Sequence, residues 1–122
     1  MEVVMNYVLT TAGQAQSRFT AFMLNECGYT TKTTFYMDFT IADAYGVDAI
    51  RDTYNRSFKA YKNDKVYITE LCLVLNHKIW EHHSKNNEPL MVAYDTLWKQ
   101  LDNWIINHLS DEDLEYYLQV TD

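Results

Sequence analysis

Val66-Tyr67-Ile68-Thr69-Glu70-Leu71-Cys72-Leu73-Val74-Leu75-Asn76-His77-Lys78-Ile79-Trp80-Glu81-His82-His83-Ser84 is the stretch that decides the fold. Through its first half Tyr67, Ile68, Leu71, Cys72, Leu73, Val74 and Leu75 leave almost no polar side. A helix apolar all round must be packed on several sides, so this segment is expected to be the central helix of a bundle. Lys85-Asn86-Asn87-Glu88 is a polar break after it, and Pro89 suits the first turn of a following helix. From Leu90 to Leu109 the residues Leu90, Met91, Tyr94, Leu97, Trp98, Leu101, Trp104 and Ile105 form one stripe, with Asp95, Lys99, Asp102 and Asn103 opposite.

Working outward, Val47–Lys62 reads as a helix because Val47, Ile50, Tyr54, Phe58 and Tyr61 fall within an arc of about 80° at about 100° per residue. Ser110 followed by Asp113 has the spacing of an N-cap with an acid at N3, which predicts a last short helix to Leu118. Thr40 is expected to cap a short helix through Tyr45, with Gly46 separating it from the next. Thr30–Tyr36, rich in β-branched and aromatic residues, reads as extended. Gln14–Cys27 has helical spacing closed by Gly28, whereas Glu2–Thr10 is compatible with a strand or a short helix.

The expected fold is therefore mainly α: a single-domain bundle of five or six helices, with a short N-terminal β element as an option. Residues 34–122 form the helical core of a single domain over 1–122, and 1–33 are a less defined N-terminal segment. Three Gly and one Pro are too few for the turns of an all-β domain. Cys27 and Cys72, far apart and outside any CxxC pattern, read as buried thiols of a cytoplasmic protein. The N-terminus has no basic region followed by an apolar stretch, so neither a signal nor a membrane role is expected.

Charge is divided unevenly. Through Lys65 seven Lys/Arg balance seven Asp/Glu, whereas from Val66 onward three lysines face ten carboxylates and account for the whole net charge of −7. Such a field repels nucleic acid and attracts basic protein surfaces. The last thirteen residues carry Asp111, Glu112, Asp113, Glu115 and Asp122 with no basic residue among them, beside Tyr116 and Tyr117. A solubilising helix end is the plain reading. The sharper one is a carboxylate and tyrosine surface that docks on a basic groove, one that ordinarily holds nucleic acid being a natural target.

Glu70, His77 and Glu81 share one side of the central helix, with His82 and His83 following. The spacing is not HExxH, and no sequence feature brings a further ligand such as His108 to it, so these residues read as a polar stripe facing solvent or a partner. His108 reads as a capping or half-buried histidine near a helix C-terminus. No nucleophile arrangement, glycine-rich phosphate loop or basic tract is present, so neither catalysis nor a metal or other cofactor is expected. Direct nucleic-acid binding would have to use Arg51, Lys59, Lys62 and Lys65, whose plain reading is a solvated helix flank.

The run Thr34-Phe35-Tyr36-Met37-Asp38-Phe39-Thr40-Ile41-Ala42-Asp43-Ala44-Tyr45-Gly46-Val47-Asp48-Ala49-Ile50-Arg51-Asp52-Thr53-Tyr54-Asn55-Arg56 resembles small proteins carried on conjugative elements and phages of Gram-positive bacteria. The resemblance continues through Thr69-Glu70-Leu71, Val74–Trp80, Tyr94–Trp98, Tyr116-Tyr117 and Thr121-Asp122. It implies a setting in which small acidic proteins block host defences, some being anti-CRISPR inhibitors of the type II effector nuclease. It transfers no residue by motif. Two functions are expected on this basis. The first is a non-enzymatic anti-CRISPR that binds an effector nuclease with its guide RNA through Asp111, Glu112, Asp113, Glu115, Tyr116 and Tyr117, with Glu70, His77 and Glu81 as further partner-facing residues. The alternative is a regulatory protein of the mobile element acting on a conjugation or replication partner. Oligomeric state is left open.

Overall fold

The computed structural model describes residues 34–121. Over them the chain forms five helices and no strand: α1 (Thr34–Asp43), α2 (Val47–Tyr61), α3 (Lys65–Ser84), α4 (Glu88–His108) and α5 (Asp111–Thr121). This is a mainly-α single-domain bundle. The N-terminal β option, the Gln14–Cys27 helix and Cys27 lie outside the described residues.

Several helix ends have a local cause. Asp64 caps α3, its carboxylate accepting from the backbone N–H of Val66 (3.0 Å) and Tyr67 (3.1 Å). At the other end Asn86 takes a left-handed conformation (φ 55°), with Asn87 N–H on His82 O (2.9 Å) and Asn86 N–H on His83 O (3.1 Å). That is the paired-bond stop that satisfies the last carbonyls of a helix. Pro89 sits in the first turn of α4, which starts at Glu88, two residues before its apolar stripe. Ser110 accepts from Asp113 N–H at 3.2 Å, as the spacing predicts, and α5 continues beyond Leu118 to Thr121. Between α1 and α2, Gly46 has φ 104° and ψ −174°, a backbone region open only to glycine.

The segment before Gly46 departs from expectation. Thr34–Tyr36 are helical, and Thr40 lies inside α1 instead of capping it. Local β preference is overridden because Phe35, Phe39 and Ala42, at helical spacing, are all buried. Packed against them, α3 touches each of the other four helices. Its residues Ile68 through Asn76 are buried without interruption, which is why the segment lacks a polar side. Phe39 meets Tyr94 edge-on (5.6 Å between ring centroids) and Phe58 meets Trp104 (4.9 Å), joining α1 and α2 to α4. No helix of the described residues is long and apolar enough to cross a membrane.

Candidate functional site

Behind the apolar core lies a buried polar cluster assembled from three helices. Lys78 of α3 has no exposed side-chain surface, and its ammonium donates to Asp43 Oδ2 (2.8 Å), Glu81 Oε2 (3.0 Å) and Thr40 Oγ1 (3.0 Å). Three donors meet three acceptors, which is the condition under which a buried ammonium is tolerated. The Nζ also stands 4.7 Å from the centre of the Tyr36 ring. Asp43 binds His82 Nε2 (2.9 Å) and accepts from Tyr94 Oη, whose ring stacks on His82 at 5.6 Å. Tyr36 donates to Glu81 Oε1 at 2.7 Å.

These contacts set the protonation states. Burial alone would raise the Glu81 carboxyl; hydrogen bonds from Tyr36 and Lys78 and the charge of Lys78 and Lys85 overcome it and hold the group down at about 2. Burial, then the Glu81 carboxylate, pushes Tyr36 up to about 12. Burial and Asp43 push Tyr94 far above the ordinary phenol value. Asp43, Glu81 and His82 bring ligand atoms within 4.8 Å of one another, the spacing a cation requires. The Lys78 ammonium already lies against both carboxylates, so the cluster supplies its own cation. Apart from the buried His82 Nδ1, which has no hydrogen-bond partner among the described residues, its groups bind one another and fasten α1 to α3 and α4.

The sequence grouped Glu70, His77 and Glu81 as a partner-facing stripe, and this needs correction. Glu70 has 0% of its surface exposed, because at its level α3 is enclosed on every side. His77 and Glu81 are largely covered, 3.8 Å apart, beneath an open cleft of about 540 Å³ bordered by Tyr36, Thr40, Trp80, Ser84 and Lys85. Burial lowers the His77 pKa, against the opposing pull of Glu81.

The acidic end also divides. Tyr117 is 2% exposed, its hydroxyl donating to Asp102 (2.6 Å) and lying 3.1 Å from Cys72 Sγ, so it anchors α5 and is no surface ring. Burial, with the Cys72 and Asp102 charges, raises its pKa strongly. Asp113 faces Lys65 at 3.8 Å, and the same ammonium lies 5.2 Å from the centre of the half-buried Tyr116 ring. Asp111, Glu112 and Glu115 are exposed and make no ion pair among the described residues. Asp111 and Glu115 border an open groove of about 380 Å³ whose other walls are Leu114, Leu118 and Gln119. Carboxylates beside leucines suit a partner arginine or lysine, whose stem packs on apolar surface while its head meets an anion.

The basic flank is dispersed: Arg51 pairs with Asp48 (3.3 Å), Lys59 and Lys62 are exposed, and Lys65 is turned to α5. His108 is exposed and stacks on Trp104 at 4.7 Å. Sequence reading missed Asp43, Lys78 and Tyr94 as a set, since 35 and 51 positions separate Asp43 from its partners. Comparison with protein-family models, with curated proteins and with solved structures finds no match to this chain.

Proposed function

We propose that this protein is a non-enzymatic anti-defence inhibitor, an anti-CRISPR that docks the outer face of α5 on a basic surface of a type II effector nuclease loaded with guide RNA. The observation that carries the reading is the trio Asp111, Glu112 and Glu115, which project from α5 without ion pairs among the described residues. The helix beneath them is fixed by the buried Tyr117 and by Asp113–Lys65. A rigid anionic face speeds capture by a cationic channel and costs little ordering on contact. The resemblance to mobile-element proteins supplies the choice of target, and the channel that holds the guide–target duplex is the positively charged surface such a face would enter.

The test mixes purified protein with nuclease and guide before target DNA is added. Cleavage should fall with increasing protein, and inhibition should weaken as salt is raised. The variant carrying Asp111, Glu112 and Glu115 all changed to Lys should lose inhibition while keeping its helical circular dichroism. Undiminished cleavage at large molar excess removes the proposal; inhibition that survives the triple change moves the contact off α5.

A further inference from the structure

We propose that the side of α3 turned away from the other described helices is a docking face for Gln14–Cys27 of the same chain. His82 meets Tyr94 of α4, Cys72 meets Tyr117 of α5, Lys78 holds Asp43 of α1, and Tyr67 packs on Tyr61 of α2. At about 100° per residue these four points of contact lie within an arc of about 140°, on one side of α3. Thr69, Leu73, Asn76 and Trp80 fall on the opposite side, within about 60° of one another. A helix packed only through the contacts above would leave that side to solvent. Instead Thr69 is 0%, Leu73 4% and Asn76 5% exposed. Leu73 stands outside the apolar cluster that joins the five helices, and Thr69 Oγ1 and Asn76 Oδ1 are buried without a hydrogen-bond partner among the described residues.

Length and connection select the occupant. The covered strip runs from the half-buried Val66 through Thr69, Leu73 and Asn76 to the half-buried Trp80, and it stops where His83 and Ser84 are exposed. At 1.5 Å per residue that is about 21 Å of helix, the length of a helix over Gln14–Cys27. Apart from Asp122, residues 1–33 are the only part of the sequence outside the described residues. Within them Phe19, Phe22, Met23 and Cys27 recur at spacings of three and four, an apolar stripe suited to Leu73. The connection is also short enough. Thr34 opens α1, and the Tyr36 ring one turn on lies 5.3 Å from the His77 ring, beside the strip. Residues 28–33 span up to about 20 Å when extended, so a helix ending at Cys27 can reach the strip. The strip is covered within one copy of the chain, which leaves no need for a second.

The full chain, methyl-labelled for NMR, should show nuclear Overhauser contacts from the Leu73 methyls to Phe19, Phe22 or Met23. In a sample mixing labelled and unlabelled copies, those contacts should all prove intramolecular. A soluble gadolinium chelate should leave the Leu73 methyls unrelaxed, as it leaves those of Leu101 in the core. The variant carrying Phe19→Ser with Phe22→Ser should lose the contacts and open Leu73 to the chelate while Leu101 stays shielded, which separates loss of the cover from unfolding. Leu73 contacts confined to residues 34–121, contacts from a second molecule, or a Leu73 that the chelate reaches in the unchanged chain each overturn the proposal. A folded variant in which Leu73 stays shielded overturns it as well. None of these readouts depends on nuclease inhibition.

Discussion

Replacing Asp43 by alanine should be among the most damaging single changes available outside the apolar core. The carboxylate receives Lys78 (2.8 Å), His82 (2.9 Å) and Tyr94, all from buried side chains. Its removal leaves a fully buried ammonium with Glu81 and Thr40 alone, while Tyr94 keeps only the Phe39 carbonyl at 3.2 Å. Breaking one side of a buried ion pair costs about 3–5 kcal/mol, and the surviving acceptors place this case near the lower end, about 3–4 kcal/mol. For a domain of this size that corresponds to a fall in Tm of roughly 10–18 °C, measured by circular dichroism melting and checked by urea titration. Lys78→Met should cost about as much, because Asp43 and Glu81 are left facing each other without their cation. The decisive variant is the double change Asp43→Leu with Lys78→Met, set against Asp43→Leu and Lys78→Met made singly. It removes both charges and should recover at least about 1 kcal/mol relative to the sum of the single changes, since an apolar pair of similar volume substitutes well for a buried ion pair. A loss below about 1 kcal/mol in Asp43→Ala, or strict additivity in the cycle, would refute the view that this cluster fastens α1 to α3 and α4.

Other expectations rest on single contacts. Because the Glu81 carboxyl is depressed to about 2, its contribution is fully present above its unfolded value near 4.5 and drains away as pH falls from there toward 2; Glu81→Gln should flatten that acid limb in pH-dependent urea unfolding. Tyr36 and Tyr54 are raised to about 12, so their contribution is intact below pH 10 and is lost as pH climbs through 12, which ultraviolet titration of the phenols should show as late ionisation coincident with unfolding. Gly46→Ala should cost about 1–3 kcal/mol through backbone strain alone, since an added Cβ meets nothing within 4 Å; a neutral result in thermal melting would contradict the left-handed turn. Tyr117→Phe should cost about 1–2 kcal/mol and loosen α5 first, visible as faster amide exchange in Asp111–Thr121 than in α3.

The parts of the fold legible in the sequence are those where one physical signal acts alone. The apolar character of Ile68–Leu75, broken only by Thr69 and Glu70, meant enclosure, and the α4 stripe and the Ser110 cap were equally direct. In α1 two signals conflict: β-branched and aromatic residues at Thr30–Tyr36 suggest extension, while the four- and three-residue spacing of Phe35, Phe39 and Ala42 specifies a helix, and burial settles the matter. The site divides the same way. Exposed acids are readable from composition, but whether a given tyrosine or carboxylate faces outward depends on a partner far along the chain. Glu81 is covered because Tyr36 and Lys78 reach it, and Tyr117 is buried with its hydroxyl donating to Asp102 and lying against Cys72 Sγ. Helical periodicity reports a direction around one axis and says nothing of what the neighbouring helix brings there.

Geometry also sharpens the charge argument that began with ten carboxylates after Val66. Glu70 is inside, Glu81 is held by Lys78, Asp95 lies 2.7 Å from Lys99, Asp102 accepts from Tyr117, and Asp113 faces Lys65. Of those ten carboxylates, the exposed ones without an ion pair among the described residues are thereby Glu88, Asp111, Glu112 and Glu115, three of them on α5. At physiological salt a field reaches only about 8 Å, so it is this local trio, and not the net charge of the chain, that an approaching cationic surface would feel. Asp111 and Glu112 have a second use, because acids in the first turn stabilise a helix by about 0.3–1 kcal/mol each. Glu115, one turn further on, lies outside that effect while bordering the same groove as Asp111. A change at Glu115 alone therefore distinguishes the two uses: if the trio serves only the helix, Glu115→Lys leaves both stability and binding untouched, whereas a docking face must respond to it.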